Sequence, residues 1–175
     1  AGLAHREFIG AAALDLNLAY RRGTGAFGAT PAPEEAFGEG TSRPGIFTAD
    51  AQLNLPFRAA EQTLRYTGLW RVQRSETALV AQDRFAIGGR YTVRGFNGEA
   101  VLSGERGWLW RNDLGLTLGQ SGAEGYVAID AGAVSGRSAE NLLGQRLVGG
   151  VIGLRGTIGS LAYDVFVGSP LYKPK

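Results

Sequence analysis

Apolar and polar residues alternate along most of this chain. In the segment 8–20, Leu14 and Leu16 alternate with Asp15 and Asn17. A period of two residues places the two kinds of side chain on opposite faces of an extended strand. Six later segments repeat the pattern, so the sequence predicts seven strands, at residues 8–20, 47–57, 64–73, 107–118, 125–134, 147–157 and 161–169.

The predicted strands follow one another without a helical crossover, which is typical of an antiparallel up-and-down meander. Such a meander closes either as a soluble barrel with its apolar face inside or as a membrane barrel with its apolar face outside. Charged polar faces, aromatic residues near strand ends and alternating long and short connections favour the membrane barrel. The sequence therefore predicts an all-β, transmembrane antiparallel up-and-down β-barrel. A soluble β-barrel that binds an apolar ligand stays open as the alternative.

Hydropathy agrees with strands rather than helices as the membrane-crossing elements. The apolar runs are only a few residues long, whereas a membrane-spanning helix needs roughly 18 or more apolar residues. A transmembrane barrel strand needs only about 9–11 residues of alternating character. The predicted strands have about this length.

The composition narrows the possible functions. The chain has 175 residues, no cysteine, one histidine (His5) and a formal net charge of +2. Without cysteine no thiolate site can form, and one histidine cannot build a histidine-based metal site or catalytic triad. The charges are scattered, which argues against nucleic-acid binding. We therefore expect no enzymatic activity, no metal and no cofactor.

The connection at residues 79–106 is far longer than the few residues that usually join strands. Connections of this length are usually functional or disordered. Because this one contains large apolar residues such as Phe85 and Phe96, it is too apolar for a disordered tail. Its glycines lack the spacing and the following helix of a phosphate loop, so we expect a folded hairpin and no nucleotide. The turn glycines expected for this hairpin are Gly88, Gly89 and Gly98.

Arg94 lies near the tip of the predicted hairpin. If the loop folds back into a polar barrel lumen, this arginine needs a carboxylate partner, because an unpaired buried charge costs several kcal/mol. The predicted alternation places Asp113, Asp130 and Asp164 on the lumen side of their strands. Any of the three is a possible partner on this reasoning.

The run DRFAIGGRYTVRGFNGEAVLSGERGWLWRND at residues 83–113 strongly resembles the signature of two-partner secretion transporters of the haemolysin-activator type. Similar runs are GEGTSRPGIFTADAQLNLPF at 38–57, YVAIDAG at 126–132 and VGSPLYKPK at 167–175. The resemblance spans nearly the whole chain. These transporters belong to a wider superfamily of outer-membrane barrels with periplasmic POTRA domains.

The resemblance implies particular site residues. In the family a long extracellular loop folds back into the barrel, and its tip motif corresponds here to Val93, Arg94, Gly95 and Phe96. The tip arginine of the family bonds an aspartate of the barrel wall, which by position is Asp130. The resemblance therefore selects one of the three candidate aspartates.

The resemblance also implies a larger protein in the Gram-negative outer membrane. Residues 1–175 are expected to be the C-terminal part of a sixteen-stranded barrel domain, about seven strands with the lumen-folding loop 79–106. POTRA domains and half of the barrel are expected before this chain, and one final strand after it. The implied partners are a secreted exoprotein and the lipid bilayer with its lipopolysaccharide. An outer-membrane barrel-assembly factor, which shares the loop, stays open as an alternative function.

Overall fold

The structure, a computed structural model, describes residues 1–28, 30–99, 101–119 and 122–174. Within this part of the chain the strands are β1 (Gly2–Ile9), β2 (Ala12–Arg22), β3 (Gly45–Ala59), β4 (Gln62–Ser75), β5 (Phe85–Ile87), β6 (Leu102–Gly104), β7 (Arg106–Leu118), β8 (Ala123–Ser135), β9 (Arg146–Ile158) and β10 (Leu161–Tyr172). Short 3-10 helices lie at Ala26–Gly28, Pro33–Phe37, Ala81–Asp83 and Arg137–Ala139. No helix of the described residues is long and apolar enough to cross a membrane.

Eight of the described strands form one antiparallel sheet in the order β1-β2-β3-β4-β7-β8-β9-β10. The predicted up-and-down order is therefore confirmed. At one end of the sheet, which we call the turn end, the strands are joined by short connections. At the other end, the loop end, the connections are long and span residues 23–44, 76–105 and 136–145.

The two faces of the sheet differ in polarity, as the alternation predicts. On β8, Val127 and Ile129 are 53% and 58% exposed, whereas Asp130 has no exposure at all. We call the face that carries Asp130, and against which the 76–105 connection packs, the inner face. The opposite, outer face exposes large apolar side chains on every long strand from β2 to β10, including Leu18, Phe47, Val72, Trp108, Trp110, Ile129, Ile152 and Val167.

The prediction of a single strand at 8–20 is wrong. The structure has two strands here, β1 and β2, joined by a tight turn at which Gly10 has a φ of 61°. The register of β1 on β2 places His5 and Glu7 opposite Leu16 and Leu14. Polar residues thus occupy outer-face positions of β1 that would be apolar in a regular alternation. The alternation therefore does not predict β1. The main sheet consequently has eight strands among the described residues rather than about seven.

The long connection predicted at 79–106 is folded, and the structure describes it except at residue 100. Its two ends pair as the short strands β5 and β6, which form a separate two-stranded sheet. Apolar side chains of the loop, of the inner wall and of the connection 136–145 form one core, which comprises Phe85, Ile87, Val93, Leu109, Val134, Ala139 and Leu147. The loop therefore packs on the inner face and is not a solvated tail.

Candidate functional site

The tip of the long loop carries a buried arginine that is bonded to the wall. Arg94 is 2% exposed and Asp130 on β8 is 0% exposed. The backbone N–H and the Nε of Arg94 donate hydrogen bonds to Asp130 Oδ2 at 3.0 and 2.7 Å, and Nη2 donates to Oδ1 at 2.8 Å. The guanidinium and the carboxylate thus form a bidentate, charge-assisted pair, which is among the stronger side-chain interactions.

A second wall carboxylate, on β7, extends this pair into a chain of alternating charges. Arg94 Nη2 donates to Asp113 Oδ1 at 2.5 Å, and Asp113 Oδ2 accepts from Arg155 Nη1 at 2.9 Å. Arg155 Nε also donates to Glu124 Oε1 at 2.7 Å, and the other Glu124 oxygen lies 2.6 Å from Arg65 Nη2. This series of ion pairs spans the inner face across β4, β7, β8 and β9. Each charge in it has a partner of opposite sign, as buried charges require.

The surroundings of Arg94 favour its charged form. Burial acts to lower the pKa of Arg94, but hydrogen bonds to Asp130 and Asp113 outweigh it and hold this pKa above its ordinary value. The guanidinium carbon also lies 5.9 Å from the ring centre of Tyr126 and 6.0 Å from that of Phe166. Aromatic faces attract cations at this separation. The inner face is therefore built to hold an arginine at this position.

The loop is bent around Arg94 by a compact turn. The backbone N–H groups of Gly88 and Gly89 both donate to Thr92 Oγ1 at 3.0 Å, and the Thr92 N–H donates to the Gly89 carbonyl at 2.9 Å. Gly95 and Gly98 have φ values of 97° and 85°, in the left-handed region that favours glycine. The predicted turn glycines thus all lie in bends of this loop, and Thr92 was missed at the sequence level.

The remaining tip residues make apolar contacts. Val93 is 0% exposed and belongs to the core that the loop shares with the wall, and Phe96 is partly buried against the same core. Both side chains therefore pack against the apolar part of the wall. Burial of apolar area contributes about 25 cal/mol per Å², so these contacts add to the hold on the loop.

Four glycines of the inner wall give the loop room to approach. They are Gly107, Gly132, Gly149 and Gly168. A Cβ on Gly149 would come within 1.7 Å of the Arg94 carbonyl oxygen, and one on Gly107 would come within 2.2 Å of the Phe85 ring. Sequence reasoning missed these positions. The available signal was a glycine at an inner-face position of each of the four strands β7, β8, β9 and β10.

A second set of contacts holds the base of the loop at the loop end. Glu105, 4% exposed, accepts hydrogen bonds from the Ser138 hydroxyl at 2.5 Å and from the Ser138 N–H at 3.1 Å. Arg21 at the end of β2 bonds Asp83 at 2.5 Å, just before β5. The loop is therefore fixed at its base as well as at its tip.

The arrangement of charges holds the loop tip on the inner wall. Arg94 and Asp130 are buried and satisfy each other, so neither is free to bind a substrate while the loop occupies this place. Within the described residues no cluster of His, Cys, Asp and Glu could hold a metal ion. The geometry is that of a folded-in loop whose release requires several charged hydrogen bonds to break together.

Comparison with known proteins adds evidence independent of this geometry. A family profile described as "Haemolysin secretion/activation protein ShlB/FhaC/HecB" matches residues 1–156. The chain is 39% identical over 177 residues to the outer membrane transporter CdiB-2 of Burkholderia pseudomallei and 28% identical to the outer membrane transporter CdiB of Dickeya dadantii. These alignments cover 99% of this chain but 30% and 31% of the two relatives. The chain thus spans about a third of the length of the curated relatives it matches.

Solved structures show the same fold. CdiB from Acinetobacter baumannii superposes with a TM-score of 0.84 at 35% identity, and the match covers 99% of this chain and 29% of that one. CdiB from Escherichia coli also superposes with a TM-score of 0.84, at 23% identity, and the match covers 98% of this chain and 32% of that one. At this identity the similarity is one of fold alone.

Proposed function

Since the chain belongs to the haemolysin secretion/activation family, ShlB/FhaC/HecB, we propose that the intact protein secretes a partner exoprotein by two-partner secretion. Its sheet is part of a transmembrane β-barrel of the Gram-negative outer membrane, like that of the relatives. The exoprotein is of the haemolysin, adhesin or contact-dependent toxin type. It passes through the polar lumen from the periplasm to the cell surface without nucleotide, metal or cofactor, and the protein is not an enzyme.

The observation that carries this proposal is the buried pair of Arg94 and Asp130 beneath a folded loop. A loop that occupies the lumen obstructs it, so transport requires the loop 79–106 to move or rearrange. Hydrogen bonds to charged groups contribute roughly 1.5–3 kcal/mol each. The Arg94–Asp130 pair therefore contributes much of the free energy needed to release the loop. We assign Val93, Arg94, Gly95 and Phe96 as the tip that docks, Asp130 as its wall partner, and Gly88, Gly89 and Gly98 as the turns of the loop.

Membership of the family implies further domains and strands in the intact protein. We propose that POTRA domains and the first half of a sixteen-stranded barrel complete the protein on one side, and a final strand on the other. In the described residues β1 and β10 each pair on one side only, and open sheet edges are not stable in lipid. Residues 1–175 alone are therefore not expected to transport.

The two alternatives fit the observations less well. A soluble barrel would bury its apolar face, whereas here that face is exposed and the loop packs on the opposite one. A barrel-assembly factor would share the loop, but the matched family profile is that of the secretion branch.

The experiment replaces the loop–wall pair in the intact transporter. Arg94→Ala leaves the buried Asp130 with only the more distant Arg111, 3.8 Å away, and Asp130→Ala leaves the buried Arg94 with Asp113 alone. Removal of one partner from a buried ion pair typically costs about 3–5 kcal/mol. We expect both to abolish secretion of the exoprotein at matched barrel levels, measured as exoprotein in the culture medium. Asp113→Asn should have a smaller effect, because Asp113 accepts one hydrogen bond from Arg94 whereas Asp130 accepts three.

The matched control is Arg71→Ala. Arg71 bonds Asp50 at 2.5 Å on the inner face of β4 and β3. This control removes an arginine–aspartate pair of the inner face that is more exposed than the Arg94–Asp130 pair and does not include the loop. Unchanged secretion in both Arg94→Ala and Asp130→Ala would contradict the assigned site, and loss of secretion in Arg71→Ala as well would show a general need for lumen charge.

A further inference from the structure

Two shallow hollows lie side by side on the outer surface at the loop end. One is lined by Tyr20, Arg22, Arg43, Gly45, Phe47, Arg74, Glu76 and Thr77. The second is lined mainly by β4, β7, β8 and β9, and its charged residues are Arg74, Arg106 and Arg146. Arg74 lines both hollows, so they adjoin. Their volumes, about 490 and 450 Å³, fall in the range of roughly 300–1,000 Å³ that is usual for sites that bind small ligands.

The arginines of the strands, Arg22, Arg74, Arg106 and Arg146, lie on the outer face, beside its exposed apolar side chains. Alternation puts Arg22 on the same face as Tyr20, and Tyr20 pairs across the strands with Phe47, which in turn pairs with Arg74. The register places Arg106 in line with Trp108 along β7, on this same face. The positive charges are therefore not part of the lumen.

The charges are unevenly distributed along the barrel axis. Among the described strands, the outer-face arginines are Arg22, Arg74, Arg106 and Arg146, and all of them lie at the loop end. The other strand arginines face inward by the same register. Long connections of outer-membrane barrels face the cell surface and short turns the periplasm, so this belt lies at the level of the outer leaflet.

Positive charge in the two hollows exceeds negative charge. Glu76, the one carboxylate among the lining residues, bonds Arg74 at 2.9 Å and Arg106 at 2.5 Å. It neutralises one charge and orients two guanidinium groups. Arg22, Arg43 and Arg146 are exposed and form no ion pair with any residue that the structure describes. Their donors are available to an anion.

Aromatic residues lie next to the arginines. Tyr20 and Phe47 line the first hollow, and Trp108 lines the second. Aromatic girdles of membrane proteins lie at the boundary between hydrocarbon and headgroups. Arginines just beyond such a girdle are at headgroup depth, and a guanidinium matches a phosphate through two parallel hydrogen bonds.

We propose that this belt, Arg22, Arg43, Arg74, Arg106 and Arg146, binds the phosphate groups of the phosphorylated glycolipid in the outer leaflet, the lipid A part of lipopolysaccharide. Phosphate is the bound chemistry, and the lipid is its source because the hollows open on the membrane-facing side of the sheet. The site is separate from the lumen loop. It rests on the proposed placement of the sheet in the outer membrane, but not on secretion of an exoprotein.

The test uses the intact transporter purified in detergent and measures lipid binding by native mass spectrometry. The probes are bisphosphorylated lipid A, the same lipid with its phosphates removed, and inorganic phosphate as competitor. The variant Arg22→Gln/Arg146→Gln removes one unpaired arginine from each hollow. Its control, Arg58→Gln/Arg137→Gln, removes the same net charge from positions outside both hollows.

We expect the belt variant to bind phosphorylated lipid A roughly tenfold more weakly, since charge-assisted hydrogen bonds are lost, while the control binds as the unaltered protein does. Removal of the lipid phosphates should abolish this difference. Equal binding of the phosphorylated lipid by both variants overturns the proposal, as does equal binding of the two lipids by the unaltered protein. Full displacement by inorganic phosphate at the lipid concentration would show a site for free phosphate and overturn the assignment to lipid. Unchanged heat-modified mobility on gels verifies that each variant is folded.

Discussion

At the scale of single residues, glycines of the inner wall decide how closely the loop tip approaches. The backbone of the tip lies directly on the wall, because Gly149 leaves the Arg94 carbonyl oxygen room that a Cβ would fill. Gly149 pairs with Asp130 across β8 and β9, so the missing side chain lies beside the carboxylate that binds the tip. Close approach and charge pairing are thus parts of one site.

Gly149→Ala is expected to displace the tip. The added methyl group would lie 1.7 Å from the Arg94 carbonyl oxygen, and overpacking of this kind typically costs about 1–3 kcal/mol. We predict faster proteolytic cleavage within the loop 79–106 in the purified intact transporter, measured by limited proteolysis. Gly150→Ala is the matched control, because its Cβ points to the outer face and meets only the end of the Leu171 side chain, at 3.2 Å. Equal cleavage rates in the two variants would contradict the prediction.

At the scale of elements, the β5–β6 hairpin is held at its base by contacts that do not depend on the tip. Glu105, between β6 and β7, is bonded by both the hydroxyl and the backbone N–H of Ser138 in the next long connection. Burial alone would raise the pKa of Glu105, but the hydrogen bonds from Ser138 outweigh it and hold this pKa below its ordinary value. The ionised carboxylate therefore stabilises the contact between the two connections.

The sign of this shift gives a pH dependence. A carboxylate whose pKa is lowered in the folded state contributes stability above its unfolded pKa, and this is lost as the pH falls through the lowered folded pKa. We predict that exchange of the Ser138 amide with solvent speeds up on acidification, measured by hydrogen–deuterium exchange of the intact transporter and corrected for intrinsic exchange. In Glu105→Gln this acid-dependent change should disappear. The same acid response in Glu105→Gln as in the unaltered protein would assign it to other groups.

At the scale of the whole molecule, the two ends of the sheet are different environments. The loop end carries the long connections and the outer-face arginines, whereas the turn end carries short connections such as the one at residues 60–61. Outer-membrane barrels place long loops at the cell surface and short turns in the periplasm. We therefore expect the loop end of the sheet to face the cell surface.

Short epitope tags test this orientation. A tag between Glu34 and Glu35, both exposed in the connection 23–44, should bind antibody on intact cells carrying the full-length transporter. A tag between Ala60 and Glu61, in the turn between β3 and β4, should bind antibody only after the outer membrane is permeabilised. Labelling of the second tag on intact cells would reverse the orientation and with it the placement of the arginine belt.

The sequence by itself determined the meander, because burial of one face of a strand requires side chains to alternate with a period of two. It failed at β1, where His5 and Glu7 interrupt that period. It also indicated a folded loop with Arg94 near its tip, but left three aspartates as partners until the family resemblance selected Asp130.

Only the tertiary structure decided which residues share the space around that arginine. Asp113 and Arg155 are bonded although 42 positions separate them, since the registers of β7, β8 and β9 bring them together. Likewise, Gly149 matters for the space it leaves empty and not for any bond it forms. Such positions are set by strand register and loop packing, which depend on contacts between distant segments and leave no periodic signal in the chain.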